Sequence, residues 1–74
     1  MITILTKEYT LLGGWNETNE VKVNEETAIS IAAKAMIGNA NLSVSPEVWA
    51  KRKIEEGKDF KIFKTENTTL HFCF

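Results

Sequence analysis

The chain has 74 residues, of which 43% are hydrophobic and 26% are charged, close to the usage of ordinary globular proteins. A single core below about 80 residues barely outweighs chain entropy, so residues 1–74 are expected to form one domain, and a multidomain enzyme is excluded. The hydrophobic fraction is too high for a disordered tail. No apolar run exceeds three residues, which also excludes a membrane span.

Charge is nearly balanced over the whole chain but differs between its halves. Lys and Arg total 9, Asp and Glu total 10, and the formal net charge of -1 favours no polyanionic partner. Residues 1–47 carry three basic and six acidic side chains, whereas residues 48–74 carry six basic and four acidic ones. The single cysteine, Cys73, cannot close an intrachain disulfide, which predicts a reducing, cytoplasmic location.

The first third of the chain predicts a β-hairpin. Residues 2–12 are rich in Ile, Leu, Thr and Tyr without helical spacing, and Gly13-Gly14 ends this first strand. Residues 15–20 are interpreted as a polar connection, and residues 21–23 alternate like a short second strand. On the first strand, alternation sends Ile2, Ile4 and Leu12 to one side and Leu5, Tyr9 and Leu11 to the other.

Two helices are predicted next. Asn24 is an N-cap residue, an apolar stripe made of Ile29, Ala32, Ala33 and Met36 follows, and Gly38 ends the first helix near residue 37. A brief extended piece is predicted at residues 41–44.

The second helix is expected over residues 46–56, because Ser45-Pro46-Glu47 combines a capping residue, a first-turn proline and a carboxylate. It is expected to be mostly exposed and held chiefly by Trp49. Its predicted ion pairs are Glu47 with Lys51 and Arg52 with Glu56.

The end of the chain predicts a second hairpin. Residues 59–65 and 68–74 alternate, and Glu66-Asn67 is predicted to form a tight turn between them. The order ββα-α-ββ predicts a small α+β domain with an antiparallel sheet of about four strands, one main amphipathic helix and one short helix, both helices on one sheet face.

Few residues in the sequence are candidates for catalysis or metal binding. His71 and Cys73 share one face of the last strand, about 7 Å apart at a rise of roughly 3.3 Å per residue. The chain has no other His or Cys, so a zinc site would need carboxylates or a second subunit. We therefore predict no catalytic residue, no metal and no cofactor, and interpret Cys73 as a small buried or interface residue.

The sequence predicts association with another chain more strongly than it predicts a chemical reaction. If Leu70, Phe72 and Phe74 face the first helix, then Phe63 and Cys73 are left for the opposite sheet face, which needs a cover. With only two helices available, that cover is a second copy or a protein partner, bound through the sheet face or edge.

The leading functional hypothesis is a non-enzymatic protein–protein interaction module. By size and class, small stand-alone chains of this kind are common among phage and mobile-element products, including inhibitors of host defence. The hypothesis therefore includes a phage or mobile-element product that inhibits a host defence factor by covering its surface. Trp15 is expected either to fold over the sheet edge or to contact the partner. The candidate partner-binding residues are Trp15, Trp49, Phe63, Glu17 and Glu20.

Two alternatives stay open. A nucleic-acid-associated regulatory module would use the basic stretch 51–64, in which aromatic residues are interleaved with positive charge. Its candidate contacts are Lys51, Arg52, Lys53, Lys61 and Lys64. A small-ligand binder at a dimer seam would place Trp15 over the ligand.

Overall fold

Four strands and two helices build the protein, as described by a computed structural model that covers residues 1–74. In chain order they are β1 (Ile2–Thr10), β2 (Gly14–Val23), α1 (Glu25–Ala35), α2 (Pro46–Glu56), β3 (Phe60–Thr65) and β4 (Thr68–Cys73). The strands form one antiparallel sheet in the order β2-β1-β4-β3. The predicted α+β class and the ββα-α-ββ order are confirmed. Neither helix is long and apolar enough to cross a membrane.

The first hairpin is longer than the sequence pattern predicts. β2 begins at Gly14, whose φ of 66° suits glycine, so the prediction that residues 15–20 form a connection was wrong. β2 is an edge strand whose residues are exposed on both faces, and it therefore lacks the alternation that marks a half-buried strand. Leu12 lies in the turn and is fully exposed, so it does not share the buried side of Ile2 and Ile4.

An irregularity interrupts the pairing of β1 with β2. Thr6 pairs with Asn19 and Lys7 with Glu17, which leaves Thr18 as an extra residue in β2. The Thr18 hydroxyl donates a hydrogen bond to the carbonyl of Thr6 at 3.3 Å. A bulge of this kind increases the local twist and bends the strand away from regular pairing.

Helix α1 begins as predicted and ends earlier. The side chain of Asn24 accepts a hydrogen bond from the Thr27 N–H at 2.8 Å, which satisfies one free donor of the first turn. The helix ends at Ala35 instead of near residue 37. Its buried residues are the small ones, Ala28, Ala32 and Ala33. Residues 41–44 form turns and bends, so the predicted extended piece is absent.

Helix α2 has the predicted bounds but different anchors. The Ser45 hydroxyl accepts from the Val48 N–H at 3.3 Å, and Gly57 ends the helix with a φ of 69°. Ala50 and Ile54 are buried, whereas Trp49 is only half-buried, so the helix is not held chiefly by Trp49.

The ion pair on α2 also differs from the prediction. Lys53 Nζ lies 3.8 Å from Glu56 Oε2, and neither predicted pair, Glu47 with Lys51 or Arg52 with Glu56, forms. Spacings of three and four residues both place side chains side by side on a helix, so the sequence alone does not choose between them.

The core lies between the two helices and one face of the sheet. Its ten buried hydrophobic residues are Ile2, Ile4, Ala28, Ala32, Ala33, Ala50, Ile54, Ile62, Leu70 and Phe72. The sheet supplies the bulk: Phe72 is completely buried and stacks on Phe60, with ring centroids 4.6 Å apart and planes 6° apart. Phe74 reaches this cluster only partly, at 45% exposure.

Phe72→Ala is expected to lower the free energy of unfolding by about 3–5 kcal/mol, because it empties a fully buried site and removes the stacking partner of Phe60. Urea denaturation followed by circular dichroism measures this change. Phe63→Ala is the matched control: its ring is 73% exposed, and we expect a change within about 0.5 kcal/mol. Equal destabilisation by the two substitutions would contradict the core assignment.

Candidate functional site

The sheet face opposite the helices carries no covering element. Ile4, Phe72 and Phe60 are register partners on the core side, so their neighbours along each strand point away from the helices. We call this second side the open face. The residues that register and alternation place on it are Thr3, Leu5, Lys7, Tyr9, Trp15, Glu17, Glu20, Lys22, Lys61, Phe63, Thr69, His71 and Cys73.

Apolar side chains are concentrated at the far end of the β1–β2 hairpin. We call Tyr9, Leu11, Leu12 and Trp15 the hairpin tip. Leu11 is 93% exposed and Leu12 is fully exposed. The rings of Tyr9 and Trp15 lie 5.5 Å apart and shield each other, yet nearly half of each side chain remains accessible. Trp15 thus packs on the sheet and also offers an exposed surface.

Side-chain hydrogen bonds hold the turn of the hairpin in one shape. The Thr10 hydroxyl accepts from the Gly13 N–H at 3.0 Å. The Asn16 amide donates to the carbonyls of Gly13 and Gly14 at 3.3 and 3.2 Å. The tip therefore presents its apolar side chains from an ordered turn, which lowers the entropic cost of binding.

The hairpin carries a small excess of negative charge, with Glu8, Glu17 and Glu20 against Lys7 and Lys22. Between residues 8 and 20 the chain has three carboxylates, Glu8, Glu17 and Glu20, and no Lys or Arg. All three side chains belong to exposed residues. An exposed apolar surface flanked by negative charge complements a partner surface that combines an apolar pocket with basic residues.

The outer edge of β2 is poorly suited to pairing with another strand. The bulge at Thr18 lies in the middle of this edge strand, and charged residues flank it. Bulges and charges are devices by which sheet proteins prevent edge-to-edge association. The open face and the hairpin tip are therefore better candidate contact surfaces than the outer edge of β2.

The predicted partner-binding residues fall into two separate groups. Trp15, Glu17 and Glu20 lie on β2, and Phe63 lies on the open face at the opposite edge of the sheet. Trp49 lies in the helix layer, where its ring meets that of Phe60 edge-on at 5.9 Å. One partner surface on the open face would therefore not include Trp49.

The basic residues of the 51–64 stretch lie on different surfaces. Lys61 is a register partner of His71 on the open face, whereas Lys51, Arg52 and Lys53 belong to α2 behind the other face. Lys53 Nζ pairs with Glu56 and lies 5.5 Å from the centroid of the Phe60 ring. Lys64 lines a cleft together with residues of α1. The five cations do not line one groove.

A second constellation lies on the open face, at the end of β4. One ligand atom from each of Asp59, His71 and Cys73 lies within 4.8 Å of the others. Sequence reasoning identified His71 and Cys73 but missed Asp59. The strand register is the signal that could have identified Asp59. Phe60 pairs with Phe72, and this pairing brings the preceding residue, Asp59, next to Cys73.

Two polar atoms of this cluster have unusual surroundings. The Nδ1 atom of His71 is buried and has no hydrogen-bond partner. The pKa of the Cys73 thiol is raised by burial and then by the negative charge of Asp59, with smaller contributions from Glu17 and Glu20, while Lys7 acts in the opposite direction. Cys73 is consequently a protonated thiol at neutral pH and a weak nucleophile.

Comparison with known proteins supplies no relative. No family model matches the chain, and neither the curated proteins nor the solved structures contain a significant match.

We expect iodoacetamide to alkylate Cys73 severalfold more slowly in the folded protein than in the chain unfolded by urea. The half-buried position and the raised pKa of the thiol both reduce its reaction. Mass spectrometry of timed samples measures the rate, and glutathione in the same buffers corrects for the effect of urea. Equal corrected rates would show that the thiol is neither shielded nor perturbed.

Proposed function

We propose that this protein is a non-enzymatic protein–protein interaction module that binds its partner through the hairpin tip. The observation that carries the proposal is the exposure of Tyr9, Leu11, Leu12 and Trp15 at the end of one ordered hairpin. Aromatic and aliphatic anchors that enter a partner pocket dominate the binding energy of many protein interfaces. Contiguous exposed apolar surface of this kind marks binding sites in other soluble proteins.

The partner is a different protein whose surface combines an apolar pocket with Lys or Arg side chains. Glu8 and Glu17 lie next to the Tyr9–Trp15 pair, whereas the first basic residue along the hairpin is Lys7, the register partner of Glu17. Two copies of this hairpin brought together would oppose like charges, which disfavours a dimer at the tip. A basic rim on a different protein would instead steer the encounter.

A narrower form of the proposal is inhibition of a host defence factor by a phage or mobile-element product. An acidic hairpin with an aromatic anchor can cover a basic surface, and a chain of 74 residues has no need of a catalytic site for that task. The size of the chain, its charge and the shape of the hairpin support this form.

The double variant Leu12→Ser, Trp15→Ala is expected to bind the partner at least about tenfold more weakly, since removal of an interface anchor costs at least that much. Tagged proteins are incubated with an extract of the organism that encodes the chain, and captured proteins are quantified by mass spectrometry. Val48→Ser is the matched control, because Val48 is an exposed apolar residue in the helix layer.

The expected result is a protein that the wild type and Val48→Ser capture equally and that the double variant loses. Circular dichroism checks that all three chains are folded. Capture of the same proteins by all three chains, or loss in the Val48→Ser control alone, would contradict binding through the tip.

The oligomeric state tests the competing possibility that the partner is a second copy of this chain. Light scattering during size-exclusion chromatography is expected to give the mass of one chain at high concentration, because the tip binds a different protein. A stable dimer that Phe63→Ser dissociates would instead assign the open face to a second copy of this chain. The same measurement on the double variant tells whether the tip takes part in such a dimer.

A further inference from the structure

We propose that Asp59, His71 and Cys73 form a zinc-binding site on the open face, a site distinct from the hairpin tip. The three residues supply one carboxylate oxygen, one imidazole nitrogen and one sulfur, and these atoms lie within 4.8 Å of one another. Zinc accepts all three ligand types, and three protein ligands with water in the fourth position is an established arrangement for this ion.

The backbone already brings the ligands together. His71 and Cys73 are alternate residues of β4 and share its open side, and Asp59 immediately precedes the strand that pairs with β4. With zinc–ligand bonds of about 2.0–2.3 Å, tetrahedral ligand atoms lie about 3.5 Å apart. The ligand atoms, now within 4.8 Å of one another, therefore need to approach by about 1 Å, and the hydrogen bond from the Phe74 N–H limits how far the Asp59 side chain moves.

One carboxylate oxygen of Asp59 has a structural task. Asp59 Oδ1 accepts the Phe74 N–H at 2.8 Å, which ties the end of the chain to the start of β3. The second oxygen is the one that would bind the ion. A carboxylate fixed by a hydrogen bond on one oxygen is a better-oriented ligand than a free side chain.

His71 supplies an independent observation. Its Nδ1 atom is buried without a hydrogen-bond partner, although buried polar atoms in folded proteins almost always have one. The imidazole is bordered by Leu5 and Lys61, its register partners on the two neighbouring strands. Coordination of zinc through Nδ1 would give this atom the partner that the protein itself does not supply.

The charges of the ligands themselves match a divalent cation. Asp59 brings one negative charge, and the Cys73 sulfur adds a second when the thiol loses its proton. The neighbouring charges on the open face are mixed, with Glu17 and Glu20 against Lys7, Lys22 and Lys61. Magnesium and calcium prefer all-oxygen sites, and copper(I) prefers sulfur-rich ones, so the mixed oxygen, nitrogen and sulfur set fits zinc better than these ions.

The binding step is a ligand exchange without redox chemistry. The Cys73 Sγ–H bond breaks, its proton goes to solvent, and the sulfur lone pair forms a bond to zinc. The imidazole nitrogen and the carboxylate oxygen each donate a lone pair in exchange for water. The ion then joins the start of β3 to the end of β4 beside the Asp59–Phe74 hydrogen bond.

Titration of the purified full chain with zinc chloride in an isothermal calorimeter tests the site. We expect one ion per chain and a loss of affinity of at least about tenfold in each of Asp59→Asn, His71→Gln and Cys73→Ser, since even residues that only orient a ligand change metal affinity by that factor. Asp59→Asn retains an oxygen that accepts the Phe74 N–H, so it separates the metal role from the structural one. Glu66→Gln, an exposed carboxylate in the β3–β4 turn, is the matched control and is expected to bind like the wild type.

Cobalt(II) chloride supplies a spectroscopic readout. A thiolate-to-cobalt charge-transfer band is expected in the wild type and in Glu66→Gln and is expected to be absent from Cys73→Ser. Zinc is also expected to raise the melting temperature of the wild type but not of the ligand variants, because the ion binds the folded state. Unchanged zinc affinity in Cys73→Ser or Asp59→Asn, or a stoichiometry of two chains per ion, would overturn the proposal.

Discussion

The area that two short helices can cover determines what this protein buries and what it exposes. An eleven-residue helix is about 16 Å long, whereas a ten-residue strand such as β2 spans about 33 Å. Helices α1 and α2 therefore cover one face of the sheet over about half the length of the first hairpin. The other half of the hairpin extends past the helix layer, and the second sheet face has no cover. The exposed tip is a consequence of this mismatch in length, and the open face is a consequence of both helices packing on the same side of the sheet.

Close packing of the helices depends on alanine. Three of the four fully or nearly fully buried alanines lie on α1 and one on α2, so the helices contribute small side chains and the sheet contributes bulk. Small residues let a helix backbone approach a sheet closely, but they bury little apolar area themselves. Stability therefore depends strongly on a few sheet residues, chiefly Phe72 and its stacking partner Phe60.

Sequence reasoning succeeded where local signals decide the structure. Ser45-Pro46 and Gly57 fix the ends of α2 because capping and a left-handed turn depend on adjacent residues alone. It failed on residues 15–20 because an exposed edge strand has no buried face to create alternation. The prediction that Trp49 chiefly holds α2 failed for a different reason. It relied on the size of the side chain, whereas the rotation of α2 about its axis points Ala50 and Ile54 towards the sheet. The sequence of one helix does not reveal that rotation.

The candidate sites also combine features that adjacent residues decide with features that depend on contacts between distant parts of the chain. Alternation along β4 correctly placed His71 and Cys73 on the side opposite Phe72, since strand geometry dictates it. The contribution of Asp59 depends on the register between two strands, which a tight turn suggests only to within a residue or two. The hairpin tip was only partly visible in the sequence, because its exposure depends on where the helix layer stops.

The position of β4 has a consequence for how the chain folds. β4 is the last strand in the sequence, yet it lies at the centre of the sheet between β1 and β3, and its pairing with β1 joins Thr3 to Cys73. Contacts between residues so far apart require closure of almost the whole chain, which slows folding relative to helical proteins of similar size. On a ribosome, Ile2 and Ile4 must wait in solvent until Phe72 has emerged, so the newly made chain passes through a period in which its future core is unprotected.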